Sequence, residues 1–156
     1  HRVDRRQRQM CIRDSLHTEH KEKPKMTHND SKKFECIFTT VEIQKNESIM
    51  FNSLSGSKLG IWSAHGEGKF ILPYDENKYQ IIGKYGYKTY PANPNGSNYN
   101  TAILSNEDGR HIAMMPHLER STFQWNWPFY PKNRKDEISP WVIAFENAKA
   151  WLDKNS

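Results

Sequence analysis

Glycine is missing from the first third of this 156-residue chain, and the earliest of its eight glycines is Gly56. Enzymes that carry a nucleophile on a strained strand-to-helix turn flank it with glycines, because neighbouring Cβ atoms would clash there. Neither of the two cysteines, Cys11 and Cys36, has such a setting. Two cysteines are also too few for a disulfide framework and are not spaced as a CxxC metal pair, so a reducing, cytoplasmic location is expected. No run approaches the roughly 18 apolar residues of a membrane span, and the charged N-terminus lacks the apolar stretch of a signal peptide. No membrane partner is expected.

Charge is scarce where it would matter for a folded binding face. The net charge of +5 resides in residues 1–33, with ten Lys and Arg against five acids, while the rest of the chain carries thirteen of each. A nucleic-acid partner would therefore rest on a tail and is not expected, although a small basic nucleic-acid-binding module stays open as the rival class. Residues 1–24 form a basic segment. At least residues 1–15, rich in Arg and Gln and without Gly, Pro or aromatic residues, read as non-native or disordered, with a short basic helix as the alternative. Residues 25–156 are then the folded domain. Only 35% of the chain is hydrophobic, but seven Tyr, seven Phe and five Trp supply large buried areas, which predicts one aromatic-rich core.

Phe34 to Ile43 is a β-branched and aromatic run that predicts a strand, with Phe34, Cys36 and Phe38 on one face and Cys36 buried there as a small hydrophobe. Gly60 to Ala64 predicts a second strand, stopped by His65-Gly66-Glu67-Gly68. Turn-rich Tyr90 to Gly96 precedes a strand over Thr101 to Ser105. The turn Asn106 to Gly109 then leads, as in a hairpin, into Arg110 to Met115. Near the C-terminus Ser139 is a good N-cap and Pro140 suits the first helical position. Trp141, Phe145, Ala148, Trp151 and Leu152 recur at the spacing of an amphipathic helix that packs on the sheet.

Chemistry concentrates in Met114-Met115-Pro116-His117-Leu118-Glu119-Arg120. Residues two apart in extended chain point the same way, so Glu119 can orient and stabilise the His117 imidazole. On spacing alone such a pair is more often a surface salt bridge. His65 lies between residues that open a backbone pocket. His28 fits a turn or cap, and His111 fits an exposed strand face. None of these histidines pairs at zinc-ligand spacing, so no metal is expected. Phe123, Trp125, Trp127, Phe129 and Tyr130 read as an irregular arm packed over the domain rather than a stacking platform. Ser121 is an outside candidate for a nucleophile without a turn to expose it.

Four segments, THNDS…FEC (Thr27 to Cys36), GIWSAHGEGKF (Gly60 to Phe70), YPANPNGS (Tyr90 to Ser97) and DGRHIAMMPHLERS…WNW (Asp108 to Trp127), resemble in order and spacing one family. It is the C-terminal class I glutamine amidotransferase domain of the large, single-chain phosphoribosylformylglycinamidine synthases. The resemblance implies an α/β, flavodoxin-like class I glutamine amidotransferase fold, present here as its C-terminal portion only and ending in the amphipathic helix. It also implies a Cys, His and Glu triad, with His117 as the base and Glu119 as the acid that orients it. His65, Asn93, Asn95 and Ser97 are expected to contribute to a glutamine pocket.

The implied partners are glutamine as substrate and the synthetase part of the larger chain. There ATP and magnesium would drive conversion of formylglycinamide ribonucleotide to the amidine in purine biosynthesis; no cofactor is expected in this segment. Two departures stand out. Leu118 replaces the family's common Pro between His and Glu, and the Gly-x-Cys-x-Gly-x-Gln elbow expected before Thr27 is absent. The chain therefore reads as N-terminally truncated and inactive alone, with a non-catalytic glutaminase-like domain as the alternative.

Overall fold

The computed structural model describes residues 16–156; the segment 1–15, including Cys11, lies outside the described residues. Seven strands follow in order: β1 (Lys25–Thr27), β2 (Glu35–Ile43), β3 (Lys58–His65), β4 (Lys69–Ile71), β5 (Gln80–Tyr85), β6 (Thr101–Ser105) and β7 (Ile112–Met114). The helix α1 (Val142–Asn155) closes the chain. Strands β3-β2-β5-β6-β7 form one sheet, and β1 pairs with β4 in a small second one. Every ladder among the described residues is antiparallel, so the parallel strands of a flavodoxin-like sheet are not found among them. The α/β class and the C-terminal helix are both present.

The central strands are buried on both faces. Ile82 and Ile103 pack with Val41, Ile43, Phe51, Ile61 and Trp141. Their neighbours Ile81 and Leu104 point the other way, into a cluster with Leu16, Met26, Phe70, Leu72 and Tyr79. All five residues of β6 are buried, and a strand covered on both sides tolerates an unbroken apolar run.

After β7 the chain curls the sheet toward closure. Met115 N donates to Ala102 O (3.1 Å), and two residues later His117 N donates to Trp62 O (2.7 Å). One segment thus leaves β6 and reaches β3, the strand at the opposite edge.

Several expectations need correcting. Phe34, Cys36 and Phe38 do share a face, but it is the outer one: Phe34 is 68% exposed and Cys36 is exposed. The core takes the alternate residues Thr39, Val41 and Ile43. In α1, Phe145 and Leu152 are exposed while Ala144, and Trp141 just before the helix, are fully buried. The helix turns its Ala144 and Trp151 side toward the body, tied by Asn147 Nδ2 to Met50 O (2.9 Å). Regular helix begins at Val142, later than expected. Ser139 Oγ instead accepts a long bond from Trp141 N (3.4 Å) and donates to Ser121 O (2.5 Å). Of the aromatic arm Trp127 packs on Phe38 and Tyr130 on Trp127, whereas Phe129 is exposed and Phe123 and Trp125 stack on each other at 4.5 Å on the exposed surface. Leu16 and His17, inside the basic segment, are buried against the second core cluster.

Candidate active site

The turn after β7 places His117 and Glu119 together. His117 is in extended backbone, and a single 3-10 turn, Leu118–Arg120, follows it. Within this turn His117 Nδ1 and Glu119 Oε1 approach to 2.8 Å. A carboxylate can only accept, so the Nδ1–H donates and the neutral ring keeps its lone pair on Nε2. The imidazole is 27% exposed and the carboxylate 67%. Partial desolvation pushes the Glu119 carboxyl up. Hydrogen bonds from its own backbone amide and from His117, with the nearby charge of Arg120, outweigh that and hold it below the usual range.

The turn is anchored non-locally. His117 and Trp62 form an antiparallel bridge, so their side chains leave the same sheet face. Ser121, fully buried, fixes the far end: its Oγ accepts from Trp62 N (3.1 Å) and donates to His117 O (3.3 Å). Its carbonyl accepts from Trp127 Nε1 (2.9 Å) and Ser139 Oγ (2.5 Å). Ser121 is thus a buried clamp, a role its sequence context did not signal. Cys36, on β2, pairs with Ala64 of β3, which lies between it and the His117 segment. Two strand spacings separate them, about 10 Å, far beyond proton-transfer reach.

The expected pocket residues gather at the end of β3. His65 Nε2 bonds Ser63 Oγ (2.8 Å), and Ser63 in turn bonds Tyr85, whose burial pushes its phenol up to about 12. Asn95 Nδ2 donates to Tyr85 Oη (3.1 Å), and Ser97 Oγ donates to Asn95 Oδ1 (3.1 Å). Asn93 Oδ1 accepts from Gly96 N and Ser97 N, which closes the loop on itself. Asn93, Asn95 and Ser97 are all buried, and their bonds close the loop on itself and tie it to Tyr85 of β5 and to Phe70 N of β4 (3.0 Å). Gly68 permits this approach, since a Cβ there would lie 2.4 Å from the His65 ring and 2.9 Å from Asn95 Nδ2. Asn29, which sequence reasoning passed over, joins the same region by donating to His65 O (2.6 Å) and accepting from Gly68 N (3.1 Å). His28 is exposed and pairs with Glu67 (3.2 Å), and His111 is exposed beside Asn106.

Comparison with known proteins places the chain as a whole. The family model for the CobB/CobQ-like glutamine amidotransferase domain matches residues 8–152. Among curated relatives, the probable phosphoribosylformylglycinamidine synthase, chloroplastic/mitochondrial, of Arabidopsis thaliana is 40% identical over 83% of this chain and 10% of its own length. The phosphoribosylformylglycinamidine synthase of Drosophila melanogaster is 39% identical over 84% of this chain and 11% of its own. The chain therefore spans about a tenth of these relatives. The structure of PurLQS from Thermotoga maritima superposes with a TM-score of 0.63 at 24% identity, over 84% of this chain and 54% of that one; it has the same fold. No helix among the described residues is long and apolar enough to cross a membrane. With its match over residues 8–152, the chain belongs to the CobB/CobQ-like glutamine amidotransferase domain family.

Proposed function

We propose that this chain is the His- and Glu-bearing part of the glutaminase domain of a cytoplasmic phosphoribosylformylglycinamidine synthase. The observation that carries the reading is the 2.8 Å contact of His117 Nδ1 with Glu119 Oε1, on a turn pinned to β3. Glu119 fixes the tautomer, and Nε2 of His117 is the proton-accepting nitrogen. In the complete enzyme a cysteine thiol loses its proton to Nε2, and the thiolate adds to the side-chain amide carbon of glutamine. The imidazolium then returns the proton to the departing ammonia as the glutamyl thioester forms, and water hydrolyses the thioester to glutamate. The loop of His65, Asn93, Asn95 and Ser97 walls the glutamine pocket, with the buried amides supporting it. The synthetase part, with ATP and magnesium, consumes the ammonia in converting formylglycinamide ribonucleotide to the amidine.

This chain alone, without a glycine-flanked cysteine, does not turn over glutamine. The test is a chimera in which residues 25–156 replace the matching segment of a full-length relative. Glutamine-dependent amidine formation is expected, and His117→Ala should lower it about 10²–10⁴-fold while leaving ammonia-dependent synthesis intact. A folded chimera whose glutamine-dependent rate ignores His117→Ala would refute the proposal.

A further inference from the structure

Away from His117, a second cluster of ligating side chains lies in the segment His17-Thr18-Glu19-His20. Glu19 Oε1 is 3.2 Å from His17 Nδ1 and 3.3 Å from His20 Nε2, and one donor atom from each residue lies within 4.8 Å of the others. The contrast with the other His–Glu pair is informative. At 2.8 Å, His117 and Glu119 make an ordinary charge-assisted hydrogen bond. Around Glu19 two imidazoles share one oxygen at longer range, and an ion about 2.0–2.1 Å from N and O ligands in a tetrahedron spaces them about 3.3–3.4 Å apart. The two imidazoles stack at 5.1 Å and both pack edge-on against Tyr79, which holds the ligand directions in place.

We propose that His17, Glu19 and His20 form a binding site for a divalent transition metal, best suited to zinc, with the remaining coordination position open to solvent. These residues line a cleft of about 490 Å³ with Tyr74 and Gln80, which gives an ion a way in. Lys21 and Lys78 on the cleft wall are balanced by Glu19 and Glu107, so no excess positive charge repels it. Two imidazoles and a carboxylate in tetrahedral reach favour zinc over magnesium or calcium, which take oxygen ligands.

The outer contacts limit affinity. Without metal, His17 Nδ1–H faces Glu19 while Nε2 takes a long 3.4 Å contact from Gln80 N. Metal on Nδ1 moves the proton to Nε2 and gives up that contact. His20 Nδ1 is buried and has no hydrogen-bond partner among the described residues. Ring nitrogens without such support weaken metal binding by about 10–100-fold, which makes the site micromolar and exchangeable rather than a permanent structural centre.

The 156-residue chain, purified metal-free, should be titrated with zinc chloride by calorimetry and with cobalt(II) chloride by visible absorption. One equivalent is expected to bind with micromolar affinity, and cobalt should develop the intense visible bands of a tetrahedral site. Glu19→Gln, at a half-exposed position, and His20→Gln should each weaken binding at least tenfold with an unchanged far-ultraviolet circular dichroism spectrum. Absence of uptake at millimolar metal would overturn the proposal, as would binding indifferent to both substitutions.

Discussion

Replacing Ser121 by alanine removes one buried oxygen that joins two distant parts of the chain. That oxygen accepts from Trp62 N on β3 and donates to His117 O at the start of the candidate site. The two losses are unequal. His117 O keeps a second donor, Arg120 N at 3.3 Å, whereas Trp62 N–H is left facing a methyl group at a fully buried position. An orphaned buried donor costs about 1–3 kcal/mol, and this range is the expected loss of stability. Urea denaturation should move the midpoint down without changing the slope. Amide exchange should accelerate at Trp62 more than at residues in β6, whose ladder bonds the change does not touch. A midpoint shift equivalent to less than about 0.5 kcal/mol, the size of an ordinary surface substitution, together with unchanged exchange at Trp62, would refute the clamp.

Gly68→Ala forces a Cβ to within 2.4 Å of the His65 ring; it should cost about 1–3 kcal/mol through overpacking and move the His65 resonances, and a variant as stable as the original would show that the loop yields freely. Tyr85 supplies a pH test, because its phenol ionises near 12 in the fold against an ordinary value of 10. The unfolded chain loses this proton first, so stability is complete below pH 10 and falls by about 3 kcal/mol as pH climbs toward 12. Chemical denaturation across that range should give a shallower slope in Tyr85→Phe, and identical slopes would contradict the burial of the ring.

Local chemistry was legible where one face or one turn decided the outcome. The strand Thr101–Ser105 and the turn leading into β7 were predicted from alternation and turn residues and occur where expected. The contact of His117 with Glu119 was expected from extended backbone, but it is made across the 3-10 turn Leu118–Arg120. What escaped depended on tertiary partners. The three-residue strands β1 and β4 are too short for a period to show. The inner face of β2 belongs to Thr39, Val41 and Ile43 because β3 and β5 present their apolar residues on that side; the alternation of Phe34, Cys36 and Phe38 specifies a shared face but not which face. Asn93, Asn95 and Ser97 looked like residues for a ligand since their amides and hydroxyl can bond one, and the same capacity lets them satisfy one another when buried. His17, Glu19 and His20 were hidden in a charged stretch whose packing on Tyr79 the sequence does not announce.

The bridge between Trp62 and His117 also bears on the order in which the molecule assembles. The hydrogen bond between Ser121 and Trp62 spans 59 residues, and that from Trp141 to Gly60 spans 81. Contacts of such separation repay their loop-closure entropy late. The hairpin of β6 and β7 is local and can form early, whereas the turn that carries His117 and Glu119 acquires its fixed place only when it has come back beside β3, more than fifty residues after that strand.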